Sequence, residues 1–248
     1  MAAISERLID AATRGSELVL KDLLHEPGCD ASSEDKSGVN ALMYAALGGY
    51  EACIELLLPV SDPLAKCKDG MTALMYATCG NINEACVRLL LPASDALASD
   101  RYGLTSLMRA AYYGHEACVR LLLPVSDALG ETENGTTALM YAAQETHESC
   151  VKLLLPAGDA LAKDNDGWTA LMHAAHGGDE SCVRLLLPVS DLCAKEMNGN
   201  TASDLARKRS PVSVAPFIDA YILAQSERTN IDTAVCPGAL SKKPAIRV

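Results

Sequence analysis

Aromatic residues are scarce in this 248-residue chain. One Trp, one Phe and eight Tyr make up 4% of it, while hydrophobic residues reach 49%. Any core must therefore be aliphatic, built from Leu, Ala, Val, Met and Cys, which argues against a β-sandwich of β-branched and aromatic strands. Positive charge is also short: 21 Lys and Arg stand against 32 Asp and Glu, a net of −11. Such a surface repels a polyanion on average, so no nucleic-acid partner is expected. No uncharged apolar stretch approaches the roughly 20 residues that cross a bilayer, so no membrane partner is expected either. The first ten residues carry Glu6, Arg7 and Asp10, which interrupt the apolar run of a signal peptide. A monomeric, cytoplasmic protein is the expectation, with a cytoskeletal or nuclear location as variants. The chain has no C-x-x-C, G-x-S-x-G, G-x-x-x-x-G-K-[ST] or H-E-x-x-H. Neither enzymatic activity nor a cofactor is therefore expected.

What the chain does have is a period. Cys53, Cys86, Cys118, Cys150 and Cys182 recur at intervals of 33, 32, 32 and 32 residues, each inside a phrase such as EACVRLLLP. Equivalent positions in adjacent helical units lie roughly 8–10 Å apart, beyond the about 7 Å that a disulfide allows. These thiols read as small buried hydrophobes. Gly38, Gly70, Gly103, Gly135, Gly167 and Gly199 mark the same period. Several follow Asp or Asn, a pairing suited to tight turns. Thr72, Thr105, Thr137, Thr169 and Thr201, with Asn40 in the first full unit, stand where a helix N-cap belongs. A short helix is predicted after each, burying Leu42, Met43, Ala45, Ala46 and their equivalents. A turn carrying Gly49, Gly114 or Gly178 leads to a second helix that presents Cys, Val and Leu at i, i+1, i+4 and i+5. Pro59, Pro92, Pro124, Pro156 and Pro188 are placed to end it. One extra residue in Gly80–Asn83 accounts for the 33-residue interval.

This unit resembles the ankyrin repeat, whose pattern is G-x-T-P-L-H-x-A-A-x-x-G-H. Residues 103–111, GLTSLMRAA, followed by Gly114-His115, are its nearest copy. The family proline is replaced by Ala or Ser, and the family histidine by Met43, Met75, Met108, Met140 or Met172. The ALM…LLLP variant is similar to that of the ankyrin-only family of diplomonad protists. The resemblance implies an all-α fold, an ankyrin-repeat solenoid of about seven helix-turn-helix units with hairpin fingers. Its boundaries are an N-terminal cap over 1–35, repeats at 36–67, 68–100, 101–132, 133–164 and 165–196, and a C-terminal cap at 197–225. Residues 226–248 read as a flexible tail.

The resemblance further implies a noncatalytic module, a scaffold or adaptor that binds a protein partner through its concave face, at the hairpin tips and first helices. The alternative is a regulatory subunit or inhibitor that masks an enzyme such as a kinase. Aromatic and basic side chains at variable repeat positions are the candidate contacts. They are Tyr102, Arg109, Tyr112, Tyr113, Tyr141, Trp168, His173 and His176, together with the tip leucine Leu104. Packing of the row Tyr44, Tyr76 and Tyr141 between helices stays open as the alternative. His173, His176, Asp179 and Cys182 have the composition of a metal site. Their division between two helices makes a shared metal the weaker reading. Arg207-Lys208-Arg209 before Ser210-Pro211, and the terminal Ile246-Arg247-Val248, are minor candidates for nuclear import and for strand addition.

Overall fold

Each repeat starts where a polar side chain takes over the first free N–H of a helix. In the computed structural model, which describes residues 2–79, 84–209 and 214–229, Asn40 Oδ1 accepts the Met43 N–H at 3.0 Å. Thr72, Thr105, Thr137 and Thr169 accept from Met75, Met108, Met140 and Met172 at 3.3–3.4 Å. Such caps contribute about 1 kcal/mol each. The methionine side chains behind them are buried and fill the space the family gives to histidine. In the last unit Asp204 replaces that methionine and its carboxylate accepts the Thr201 N–H at 3.2 Å. Thr201 Oγ1 accepts the Asp204 N–H in return, at 3.4 Å, an arrangement like the reciprocal capping box.

The described residues contain helices and no named strand; isolated bridges at Glu34–Asn40 and Ser99–Thr105 close two of the hairpins. No described helix is long and apolar enough to cross a membrane. The chain divides into two compact units between Glu133 and Asn134. The first holds α1 (Ala2–Thr13), α2 (Glu17–Leu24), α3 (Ala41–Gly48), α4 (Glu51–Leu57), α5 (Ala73–Ala77), α6 (Glu84–Leu90), α7 (Ser106–Tyr112) and α8 (Glu116–Leu122). Its odd-numbered helices pack side by side in one layer and its even-numbered helices in a second. The second unit holds α9 (Ala138–Gln144), α10 (Glu148–Leu154), α11 (Ala170–Gly177), α12 (Glu180–Leu186), α13 (Ala202–Arg209) and α14 (Ala215–Thr229). There α9, α11 and α13 form one row, α10 pairs with α12, and α14 packs on α13. The last helix runs four residues past the boundary expected at 225. Gly80–Asn83, Ser210-Pro211 and residues 230–248 lie outside the described residues, as do the features read there.

The core is the repeat-constant set. Cys53, Cys86, Cys118, Cys150 and Cys182 are buried free thiols. Burial pushes Cys86 and Cys118 up to about 11 and Cys182 up to about 12, so they are protonated and unreactive at neutral pH. Cys193 differs: it is disulfide-bonded, and the reading of cysteine as plain apolar filler belongs to the repeat position, not to this loop residue. Cys236 lies outside the described residues. On the second helices the buried positions are i, i+1 and i+4. The i+5 leucine is fully covered only at Leu187 and half-covered at Leu58, Leu91, Leu123 and Leu155. The α-helices end two residues before each proline. At Leu91–Ala93, Leu123–Val125 and Leu187–Val189 the chain continues into a 3-10 turn that contains the proline, whose missing N–H is tolerated at a first helical position.

Hairpin tips join neighbour to neighbour through the backbone. The N–H groups of Lys68, Arg101 and Glu133 donate to the carbonyls of Ser37, Asp69 and Tyr102 at 3.0–3.2 Å, and those of Asn165 and Met197 to Asn134 and Asp166 at 3.0 Å. Gly70 shows why the tip is glycine. Its φ is +81°, and a Cβ there would stand 3.0 Å from Arg101 N. A side chain would be strained and would hold the next hairpin away.

Candidate functional site

The hairpin base carries a residue that sets both the tip and the first helix. Asp35, Asp100 and Asp164 each accept two tip N–H groups through Oδ1, at 2.7–3.1 Å. Their Oδ2 atoms face the side chain nine residues on. Tyr44 Oη donates to Asp35 at 2.7 Å, the Arg109 guanidinium pairs with Asp100, and His173 Nε2 pairs with Asp164 at 3.0 Å. In the repeat that begins at Cys67 a thiol takes this place, and Tyr76 Oη reaches its sulfur at 3.5 Å. Tyr44, Tyr76, Arg109 and His173 are therefore stitched to the hairpins that precede them. Burial raises the Tyr76 hydroxyl pKa further, while the hydrogen bond to Asp35 raises that of Tyr44.

The candidate residues fall in two places. In the first unit Tyr102, Tyr112 and Tyr113 are exposed, at 51%, 36% and 43%, and Leu104 is half-buried. Tyr112 and Tyr113 meet edge to face at 5.1 Å, Tyr113 stacks on His115 at 5.7 Å, and the Arg101 guanidinium lies 4.7 Å over the Tyr102 ring. Arg109 turns inward. Its side chain is only 15% exposed and Asp100's 2%, and it also donates to Cys79 Sγ at 3.4 Å. In the second unit Tyr141, Trp168, His173 and His176 are half-buried. The Trp168 ring lies 5.1 Å from His173 and 5.3 Å from His176.

Around Trp168 the second unit opens a cavity of about 660 Å³. The C-terminal turn of α9 brings Gln144, Glu145 and Thr146 to it, the following hairpin Asp164 and Asp166, α11 both histidines, and the end of α13 Arg209. Burial lowers the His173 pKa, with Asp164 pulling the other way. Burial and the charge of Arg209 lower that of His176, whose Nδ1 lies 3.3 Å from Arg209 Nη1. Both rings are thus biased toward the neutral form at pH 7. Thr146 has φ +60° at the position where the other repeats carry Gly49, Gly114 and Gly178, a costly conformation for a β-branched residue.

Sequence reasoning missed Asp100 and Asp164, although both stand nine residues before a residue it selected. It did not bring together Glu145, Asp166 and Arg209, which come to the cavity from three different elements; none was among the chosen contacts, and Arg209 figured only in the basic run 207–209. Of the metal-like set, His173 and His176 are on α11, while Cys182 is buried on α12.

The sequence profile described as ankyrin repeats (3 copies) matches residues 8–100, 79–164 and 157–217. The crystal structure of the human ASB11 ankyrin repeat domain superposes with a TM-score of 0.76 at 27% identity, covering 87% of this chain and 96% of that one. No curated protein matches the chain significantly.

Proposed function

The chain belongs to the ankyrin repeat family, whose members generally act in protein–protein interaction, and from that premise we propose that it is a noncatalytic scaffold or adaptor. One observation carries this reading. Repeat-constant positions fill the core, whereas residues that change from repeat to repeat, such as Tyr102, Tyr112, Tyr113 and Trp168, sit at hairpin tips and first-helix ends with surface to offer. Tyrosine supplies large contact area at low entropic cost, and it is enriched among residues that dominate interfaces.

Proximity labelling in the native cell, followed by pull-down with purified chain, tests the proposal. Recovery of the labelled partners is expected to fall at least about tenfold for Tyr112→Ala/Tyr113→Ala, the loss of a modest hot spot. Unchanged recovery would remove this surface from the interface. Assaying the captured partner with and without the chain separates a scaffold from an inhibitor.

A further inference from the structure

We propose that the cavity around Trp168 receives one arginine side chain of the protein partner; this rests on the interaction role above and deepens it. The charges are unbalanced. Three carboxylates, Glu145, Asp164 and Asp166, line the cavity against a single guanidinium, Arg209. Among the described residues Arg209 forms no ion pair with any of the three; its contact is with His176. Asp164 already accepts from two tip N–H groups and meets His173. Glu145 takes only the Gln144 amide, at 2.9 Å. The Asp166 carboxylate makes no hydrogen bond or ion pair among the described residues. Two carboxylates with spare acceptors thus share a cavity with the indole ring.

The chemistry selects the ligand. An indole face attracts a cation more strongly than any other side chain does. A guanidinium is planar, weakly hydrated and always charged, so it can stack on the ring while its N–H fork reaches a carboxylate. A lysine ammonium offers the charge without the plane. A phosphate or an acidic peptide would meet the wrong sign. The volume exceeds one side chain, which leaves room for the flanking backbone of an extended segment.

Trp168 is the only tryptophan in the chain, so its emission reports this cavity and nothing else. The test titrates the full chain with acetyl-Gly-Gly-Arg-Gly-Gly-amide and with its citrulline counterpart, which keeps the shape and loses the charge. The arginine peptide is expected to change Trp168 emission saturably, with the citrulline peptide at least about tenfold weaker. Glu145→Gln/Asp166→Asn, changes outside the core, should weaken the arginine peptide about tenfold and leave the thermal unfolding midpoint in place. Equal response to both peptides, no saturation up to about 10 mM, or an unaffected double variant overturns the proposal. If the peptides fail while partner recovery still depends on Tyr112 and Tyr113, the arginine pocket is lost and the interaction role stands. If the peptides bind and recovery ignores the tyrosines, the arginine pocket stands and the Tyr112–Tyr113 surface is removed from the interface.

Discussion

The repeats that begin at Asp100 and Asp164 share one design and differ in one ion. Both place a carboxylate at the hairpin base, spend one oxygen on two tip N–H groups, and turn the other toward the residue nine positions on. In the first unit that residue is Arg109, charged at every accessible pH. In the second it is His173, which burial biases toward neutrality. The same geometry therefore gives a permanent ion pair in one unit and a hydrogen bond that depends on pH in the other.

Removing the charge should split the two repeats most widely. Asp100→Asn keeps a tip acceptor but leaves the Arg109 guanidinium buried without its counter-ion, a loss expected to cost about 3 kcal/mol. Asp164→Asn leaves a neutral imidazole with a neutral partner and should cost about 1 kcal/mol. Native-state hydrogen exchange, read at α7 for one variant and at α11 for the other, measures both. Equal losses would show that Arg109 and His173 are equivalent after all.

Acid should separate them next. The folded His173 pKa lies below its unfolded value, so its contribution is present above the unfolded value of about 6.5 and is lost as pH falls toward the folded one. Asp164 and His176 act on it directly, Glu145, Asp166 and Arg209 line the same cavity, and His176 shifts in the same direction. Protection of α11 should decline between pH 7.5 and 5.5, no more steeply than about 1.4 kcal/mol per pH unit for each histidine. Protection of α7 should hold, and His173→Gln should flatten the α11 profile. A decline of the same slope at α7 would contradict the assignment.

The smallest expected effect concerns the turn between helices. Thr146→Gly should stabilise the chain by about 1 kcal/mol through relief of a left-handed conformation, and Gly114→Thr should cost about as much. Thermal unfolding of the two variants measures the exchange; a loss on Thr146→Gly would mean that contacts of the Thr146 methyl, which stands 3.0 Å from where a Cβ on Gly177 would be, outweigh the strain.

The helices were readable from the residues because each repeat carries its own punctuation. Glycine at the tip, Thr or Asn at the cap and proline after LLL all act within a few residues of themselves, and a motif repeated five times fixes their register. The Tyr–Arg–His row was also visible. Its orientation was not, because the residue that turns Arg109 and His173 inward is an aspartate nine positions earlier, across a turn whose path no local pattern encodes. Thr146 was legible as a missing glycine in the comparison with Gly114 and Gly178. The cavity was least legible: Glu145, Asp166 and Arg209 converge only once α9, α11 and α13 pack as one row. The departure of Asp204 from the methionine pattern was legible in the residues, but the hydrogen bonds it makes with Thr201 needed the folded geometry.

The backbone links between hairpins have a consequence for how such a chain can change in length. Each tip donates one N–H to the neighbour before it and offers one carbonyl to the neighbour after it, so a single repeat carries both halves of its own joint, like a tile with matching edges. Inserting or deleting one 32-residue segment in register would leave every joint with a partner, because the pairing uses main-chain atoms and constrains, among the tip residues, only the glycine. Gene segments of that size could therefore be gained or lost without redesigning an interface, while the tip residues drift toward new targets.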